Sequence, residues 1–351
     1  MAERLRVAVA GVRIGEGHLH ALADHPRAEI VAICDVNADL LQAMADKFSV
    51  PRTYEQYERM LASEKLDGVC IATPNRLHTP MLRAALARGL HVLCEKPLTL
   101  DTEEAESLLN EVREAGVTHA INFSNRPNPA VTYVKELVDS GALGRVYEMH
   151  LTYLQDWLSD PGAPYTWRNS RAESGSGALG DIGSHVLDLG RHFLGEVAAV
   201  SAHTAIVNSE RALPNGEQAI VDADDLAFAH LRYESGAHGL LRVSRVARGR
   251  CDVRRIELFG ERASLVLEID YEISRVLRAD DLTLWRGDRF REVFAHDTRR
   301  NTWGGNVTTW VAAALERRQM SPNFEDGVRC QRILDAALRS ADEQRWVDVA
   351  R

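Results

Sequence analysis

The rhythm of the first 121 residues constrains the fold of this chain more than any other feature. Short, continuously apolar runs with β-branched residues recur at Leu5–Ala10, Ile30–Cys34, Gly68–Ala72, His91–Cys94 and Thr118–Ile121. Between them lie stretches with helical spacing: His18–Ala23, Ala38–Phe48, Pro80–Arg88 and Thr102–Ala115. Thr102 reads as an N-cap, with Leu108 and Leu109 on the apolar face of the helix that follows. Strands that are apolar throughout have both faces covered, and strands alternating with helices pair in parallel. The pattern predicts an α/β unit over residues 1–122, a doubly wound parallel sheet.

Past Asn122 the rhythm changes. A helix at Pro129–Asp139 precedes a strand at Val146–Leu154, a Gly-, Pro- and Ser-rich loop, and a helix at Ile182–Leu194. From Val200 to Phe294 the pattern is mostly strands. Asp225–Tyr233 and Ala237–Val246 flank the turn signal Glu234-Ser-Gly, and 254–268 turns at Gly260-Glu-Arg. Helices at Val307–Arg317 and Asp326–Ala341 close the chain. Strand following strand predicts an α+β domain over 123–351 with a large, open, mostly antiparallel sheet. A length of 351 residues suits two domains. Two domains packed closely offer a common place for a ligand cleft.

Composition removes several classes of function. A formal charge of −9 argues against nucleic-acid binding, which calls for a basic face. No apolar run approaches the ~20 residues of a membrane span, and the N-terminus has no signal-peptide core. Cys34, Cys70, Cys94, Cys251 and Cys330 are scattered without a CxxC pair, which reads as reduced thiols in a cytoplasmic protein. No Cys/His/carboxylate set has metal-ligand spacing, so no metal is expected.

Four groups of residues carry candidate chemistry, the segments after the third and fourth strands counting as one. Leu5–Ala10 runs into Gly11-Val12-Arg13-Ile14-Gly15, a turn whose amides and following helix N-terminus suit a pyrophosphate. The usual G-x-G-x-x-G is altered, with Arg13 where the second glycine belongs. Asp35 ends the second strand about 20 residues on, where a carboxylate binds ribose hydroxyls and repels a 2′-phosphate. NAD is therefore favoured over NADP, although Asp35 also suits the N-cap of Ala38–Phe48. Thr73-Pro-Asn75 and Glu95-Lys96-Pro97 follow two further strands on the same rim. Lys96 can aim its ammonium into a cleft or sit solvated beside Glu95.

The run Gly175-Ser-Gly-Ala-Leu-Gly-Asp181-Ile-Gly-Ser-His185-Val-Leu-Asp188 forms the third segment. On a helix Asp181 and His185 share a face, with Asp188 a turn further on. His185 can accept a proton from an alcohol. The alternative is an N-cap Asp181 with a core histidine, and His192 on the same helix shows that histidine alone decides nothing. Gln155, Trp157, Trp167 and Arg168 interleave polar groups with indoles. That mixture suits stacking on a polyhydroxylated ligand, and equally suits buried packing.

Together these residues resemble the Gfo/Idh/MocA family of oxidoreductases, over essentially the whole length. The resemblance rests on the glycine turn, Ala72-Thr-Pro-Asn-x-x-His78, Glu95-Lys96-Pro97, Gly180-Asp181-Ile-Gly-Ser-His185-x-x-Asp188 and Glu325-Asp326-Gly327. It implies an N-terminal Rossmann domain, a bound nicotinamide dinucleotide, and a homodimer or homotetramer built on the C-terminal sheet. It implies catalytic roles for Lys96, Asp181 and His185, and a cis bond before Pro97. Thr73, Asn75, His78 and Glu95 are implied to line the cofactor, with Gly11, Arg13 and Ile14 at its phosphates. Gln155, Trp157, Trp167 and Arg168 resemble members that oxidise sugars or cyclic polyols. The expected activity is NAD-dependent oxidation of a secondary hydroxyl on a sugar, sugar derivative or cyclic polyol. The alternatives are a glycoside-cleaving enzyme cycling its NAD through a transient keto-sugar, and a non-catalytic NAD or sugar sensor.

Overall fold

A computed structural model describes residues 3–271, 280–286, 289–296 and 304–351. The parts of the expected strand-rich stretch at 272–279 and 287–288 lie outside the described residues. The chain forms two compact units, residues 1–124 with 302–328, and residues 125–301 with 329–351.

In the first unit the order is β1 (Leu5–Ala10), α1 (Val12–Ala23), β2 (Ala28–Cys34), α2 (Ala38–Phe48), β3 (Thr53–Tyr54), α3 (Tyr57–Ser63), β4 (Gly68–Ile71), α4 (His78–Leu86), β5 (His91–Cys94), α5 (Thr102–Ala115) and β6 (His119–Ile121). The six strands are parallel and lie in the order β3-β2-β1-β4-β5-β6. That is the doubly wound order, and its direction reverses between β1 and β4, where such sheets bind ligands. Val7, Val9, Val69, Cys70 and Ile71 are fully buried, as continuously apolar central strands require.

Local chemistry sets the helix boundaries. α1 begins at Val12, six residues before the expected His18, because Gly11 at φ +84 turns the chain directly from strand into helix. Gly15 and Gly17 therefore lie inside the helix rather than in the turn. α2 is capped by Asn37, whose Oδ1 accepts from Leu40 N at 2.9 Å. The cap of α5 is Asp101, accepting from Glu104 N at 2.9 Å, and Thr102 is the first helical residue. Asp101 holds the extended backbone that a cap needs.

The second unit holds α6 (Pro129–Asp139), β7 (Val146–Gln155), α7 (Arg171–Ser174), α8 (Ser184–Leu194), β8 (Val197–Ala205), β9 (Glu210–Ala212), β10 (Gln218–Ile220), β11 (Leu226–Tyr233), β12 (His238–Ser244), β13 (Asp252–Gly260), β14 (Ala263–Tyr271), β15 (Asp280–Arg286) and β16 (Arg289–His296). After α9 (Gly305–Leu315) and the long α10 (Phe324–Glu343), β17 (Val347–Asp348) completes a nine-stranded sheet. Its order is β16-β15-β14-β13-β7-β12-β11-β8-β17, and β9 and β10 form a separate hairpin. The turns at Glu234 and Gly260 fall where the sequence puts them. β7 runs antiparallel to β13 and parallel to β12, so the sheet is mixed. Along β11, buried Ala227, Ala229, Leu231 and Tyr233 alternate with exposed Phe228 and Arg232, which leaves one face open.

The chain then returns. The stretch expected as a closing helix of the second domain, α9, belongs instead to the first unit. Val307, Trp310 and Val311 are fully buried in its core, and the Trp310 ring lies where a side chain at Gly68 would stand. Gln319 Nε2 donates to Val117 O at 2.9 Å, and Phe324 N donates to His119 Nδ1 at 3.1 Å, tying the segment beside β6.

Candidate active site

The carboxyl ends of β1, β2, β4 and β5 form one rim of the first unit. Gly11 is the N-cap of α1 in the left-handed region, and a Cβ there would lie 2.4 Å from Ala72 O. Only glycine meets both conditions. α1 has no acidic residue in its first turn, Arg13 is exposed, and its first amides have no partners within the helix, a donor set suited to an anion. Asp35 does not cap α2. Its Oδ2 accepts from Val12 N at 2.9 Å and its Oδ1 from Asn37 N at 3.0 Å. The carboxylate thus stands at the end of β2, against the start of α1.

On the same rim His78 is completely buried. Its Nδ1 lies 3.0 Å from Pro97 O and its Nε2 3.0 Å from Thr73 O, so one imidazole holds the segments after β4 and β5 together. Burial pushes it below its ordinary pKa, against the pull of those carbonyls. Asn75 is buried, Thr73 and Lys96 are half-buried, and the Lys96–Pro97 peptide is cis.

Beneath Lys96 lies a polar network that spacing in the sequence does not reveal. Glu95 Oε1 is 2.9 Å from His18 Nε2 and accepts from Asn122 Nδ2 at 2.6 Å. Asn306 Nδ2 donates to Asn122 Oδ1 at 3.2 Å, and Lys96 N donates to Glu95 Oε2 at 3.3 Å. Burial alone would raise the Glu95 carboxyl. The bonds and charge of His18, the Asn122 amide and the Lys96 ammonium outweigh it and hold the group at about 2.

In the second unit Asp181 lies in a π-helical turn, Leu179–Gly183, which runs directly into α8 and His185. Such turns are frequent at functional sites. Asp224 supports this one, its carboxylate accepting from Gly177 N at 2.6 Å and Leu179 N at 2.9 Å. A Cβ at Gly177 would lie 1.8 Å from Asp224 O, which accounts for the glycine. Burial pushes the Asp224 carboxyl up, opposed by Arg245 and the two amides. His185 is buried, with the Tyr153 ring 6.1 Å away centroid to centroid. Asp188 is structural. It pairs with Arg126 through two bonds, 2.5 and 2.8 Å, Asp188 being fully buried and Arg126 largely so. His192 packs on Phe193.

Asp181 Oδ2 stands 3.7 Å from both Arg168 Nε and Arg245 Nη1. The Arg168 guanidinium lies 4.3 Å over the Trp167 ring. Trp157 is exposed, and its Nε1 donates to Gln155 Oε1 at 2.9 Å. Gln155, Trp157, Trp167, Arg168, Asp181 and His185 therefore belong to one unit, with Asp181 and Arg168 in direct contact. Among the described residues no His, Cys, Asp and Glu group could hold a metal ion. A cavity of about 500 Å³ lined by Glu196, Arg232, Arg329 and Arg351 contains none of these residues.

A doubly wound sheet with a helix N-terminus, an acid at the end of β2 and a rim lysine, joined in one chain to an Asp–His helix turn, defines a dinucleotide-binding oxidoreductase. Comparison with known proteins agrees. Residues 5–123 match the oxidoreductase family with the NAD-binding Rossmann fold, and residues 131–266 match the GFO/IDH/MocA C-terminal domain. A levoglucosan dehydrogenase of Pseudarthrobacter phenanthrenivorans is 33% identical, with 90% of this chain and 88% of that protein aligned. An inositol 2-dehydrogenase of Rhizobium meliloti is 27% identical over 96% of this chain and 97% of its own. A solved levoglucosan dehydrogenase in complex with NADH and L-sorbose superposes with a TM-score of 0.89 at 30% identity, covering 99% of each chain. The chain belongs to the Gfo/Idh/MocA oxidoreductase family, and its first unit is an NAD-binding Rossmann domain.

Proposed function

We propose that this protein oxidises a secondary hydroxyl of a sugar, sugar derivative or cyclic polyol, with NAD as acceptor. The observation that carries the proposal is the co-occurrence of the NAD rim, with Lys96 on it, and the π-turn Asp181–His185 pair. His185 takes the hydroxyl proton as general base. Lys96 donates to the same oxygen and stabilises the alkoxide charge that develops. Asp181 orients His185 or a neighbouring hydroxyl, while Gln155, Trp157, Trp167 and Arg168 bind the ring. NAD, when bound, supplies the nicotinamide carbon that accepts the hydride. Gly11, Arg13 and Ile14 would hold its phosphates and Asp35 its ribose. Thr73, Asn75, Glu95 and Pro97 would line the rest, with His78 holding those segments in place.

The named activities of the relatives, on levoglucosan and inositol, support a small polyhydroxylated substrate. The exposed Phe228 and Leu240 on the open face of the nine-stranded sheet support a homodimer or homotetramer through that face. No described helix is long and apolar enough to cross a membrane. The free cysteines, four of them buried, support a cytoplasmic setting.

The test is to mix purified protein with NAD and a panel of inositols, aldoses and anhydrosugars, following reduced-nicotinamide absorbance. The proposal expects NADH to accumulate with at least one polyol. Flat traces across the panel, with NAD retained on the protein through purification, would overturn it in favour of net-neutral cycling.

A further inference from the structure

Arg245, just past β12, is a charged residue to which the reading above gives no role. Its side chain is fully buried. Nη2 donates to Asp224 O at 2.8 Å and Nη1 to Arg168 O at 3.3 Å, and the same Nη1 faces Asp181 Oδ2 at 3.7 Å. The guanidinium lies 5.6 Å from the centre of the Trp157 ring, and the Arg245 carbonyl accepts from Leu158 N at 3.0 Å. One side chain thus touches the π-turn, the loop carrying Trp157 and the turn carrying Arg168.

A guanidinium stays protonated at any working pH, and burying its charge costs several kcal/mol unless it is balanced. Neutral carbonyls take the hydrogen bonds, so the balancing charges are the carboxylates of Asp181 and Asp224. Arg168, a quarter exposed, adds a second positive charge at the same Asp181 oxygen. We infer that Arg245 is a positioning residue for the proposed reaction, holding the Asp181 carboxylate in place on the turn that leads into His185 and bracing the Trp157 side of the substrate site.

The inference rests on the assignment of Asp181 and His185, and its test includes a readout independent of turnover. The charged and titratable groups of this cluster are Arg168, Arg245, Asp224 and His185, with Tyr153 against the imidazole. In carboxyl-¹³C NMR, with Asp181 assigned by its loss in Asp181→Asn, the Asp181 midpoint should rise in Arg245→Met, since one of the two guanidinium charges 3.7 Å from its Oδ2 is removed. It should move less in Arg245→Lys, which keeps the charge but loses the fork. In steady-state assays Arg245→Met should lose about 10- to 100-fold in kcat, the scale of a misplaced catalytic group, with KM for NAD unchanged. On the Asp181→Asn background, Arg245→Lys should cost clearly less than it does in the wild type.

An Asp181 midpoint within 0.3 pH units (roughly 0.4 kcal/mol) of wild type in both Arg245 variants would overturn the inference. So would independent, multiplying effects of Arg245→Lys and Asp181→Asn. Should Arg245→Met fail to fold, the kinetic cycle of Arg245→Lys with Asp181→Asn decides the inference. A wild type with no polyol turnover would sink the functional reading, while the NMR arm would still decide the role of Arg245.

Discussion

Replacing Glu95 by Gln tests whether the network under Lys96 is an ionised, stabilising unit. The substitution keeps the shape and one acceptor oxygen, and removes the charge that His18 and Asn122 meet at 2.9 and 2.6 Å. The carboxyl falls from an ordinary 4.5 to about 2. At about 1.36 kcal/mol per pH unit, that corresponds to about 3 kcal/mol of stability at pH 7. Two hydrogen bonds to a charged group, each worth about 1.5–3 kcal/mol, give the same order. The folded-state value is depressed, so the stabilisation is complete above pH 4.5 and is lost as pH falls towards 2. Linkage leaves less than half of it at pH 3. Urea denaturation followed by circular dichroism should show Glu95→Gln about 3 kcal/mol less stable at pH 7, with the gap to wild type less than half as large at pH 3. A loss under about 0.5 kcal/mol at neutral pH, or a gap independent of pH, would refute the reasoning.

Further outcomes follow from the same structure. Lys96→Ala and His185→Ala should each lower kcat by roughly 10²–10⁴ while leaving fluorescence titration with NADH nearly unchanged, and unimpaired turnover in either would contradict their roles. Asp188→Ala leaves Arg126 buried without its carboxylate and should cost about 3–5 kcal/mol in urea unfolding; a change near zero would show the pair to be dispensable. Asp35→Ser should weaken NADH by roughly tenfold and raise the NADPH-to-NADH affinity ratio, measured by the same titration. An unchanged ratio would remove Asp35 from cofactor selection.

Much of this architecture can be read in the chain because its signals are local. α2 and α6 begin where Asn37 and Asn128 cap them, and β1 and β5 end where the apolar runs end. The start of α1 is misread because Gly15 looks like part of a turn. In fact a Cβ there would meet the Val9 side chain at 2.7 Å, so the glycine serves helix–strand packing. β3 and α3 are too short to show a period. The parallel pairing of β7 with β12 and the return of α9 to the first unit depend on partners far away in sequence, which no spacing encodes. The site divides in the same way. Lys96, Asp181 and His185 stand in compact motifs, whereas His18 meets Glu95 across 77 residues and Arg245 meets Asp224 and Asp181 from the far end of a strand. Buried charges paired over such distances look, in sequence, like ordinary strand ends.

A crystal structure of the protein with NADH and a polyol drawn from the activity panel probes the heart of this account. The expected result is one substrate oxygen within about 3.2 Å of both the Lys96 ammonium and a ring nitrogen of His185. A bound polyol that touches only one of those groups, or a hydroxyl held by other side chains altogether, would contradict it.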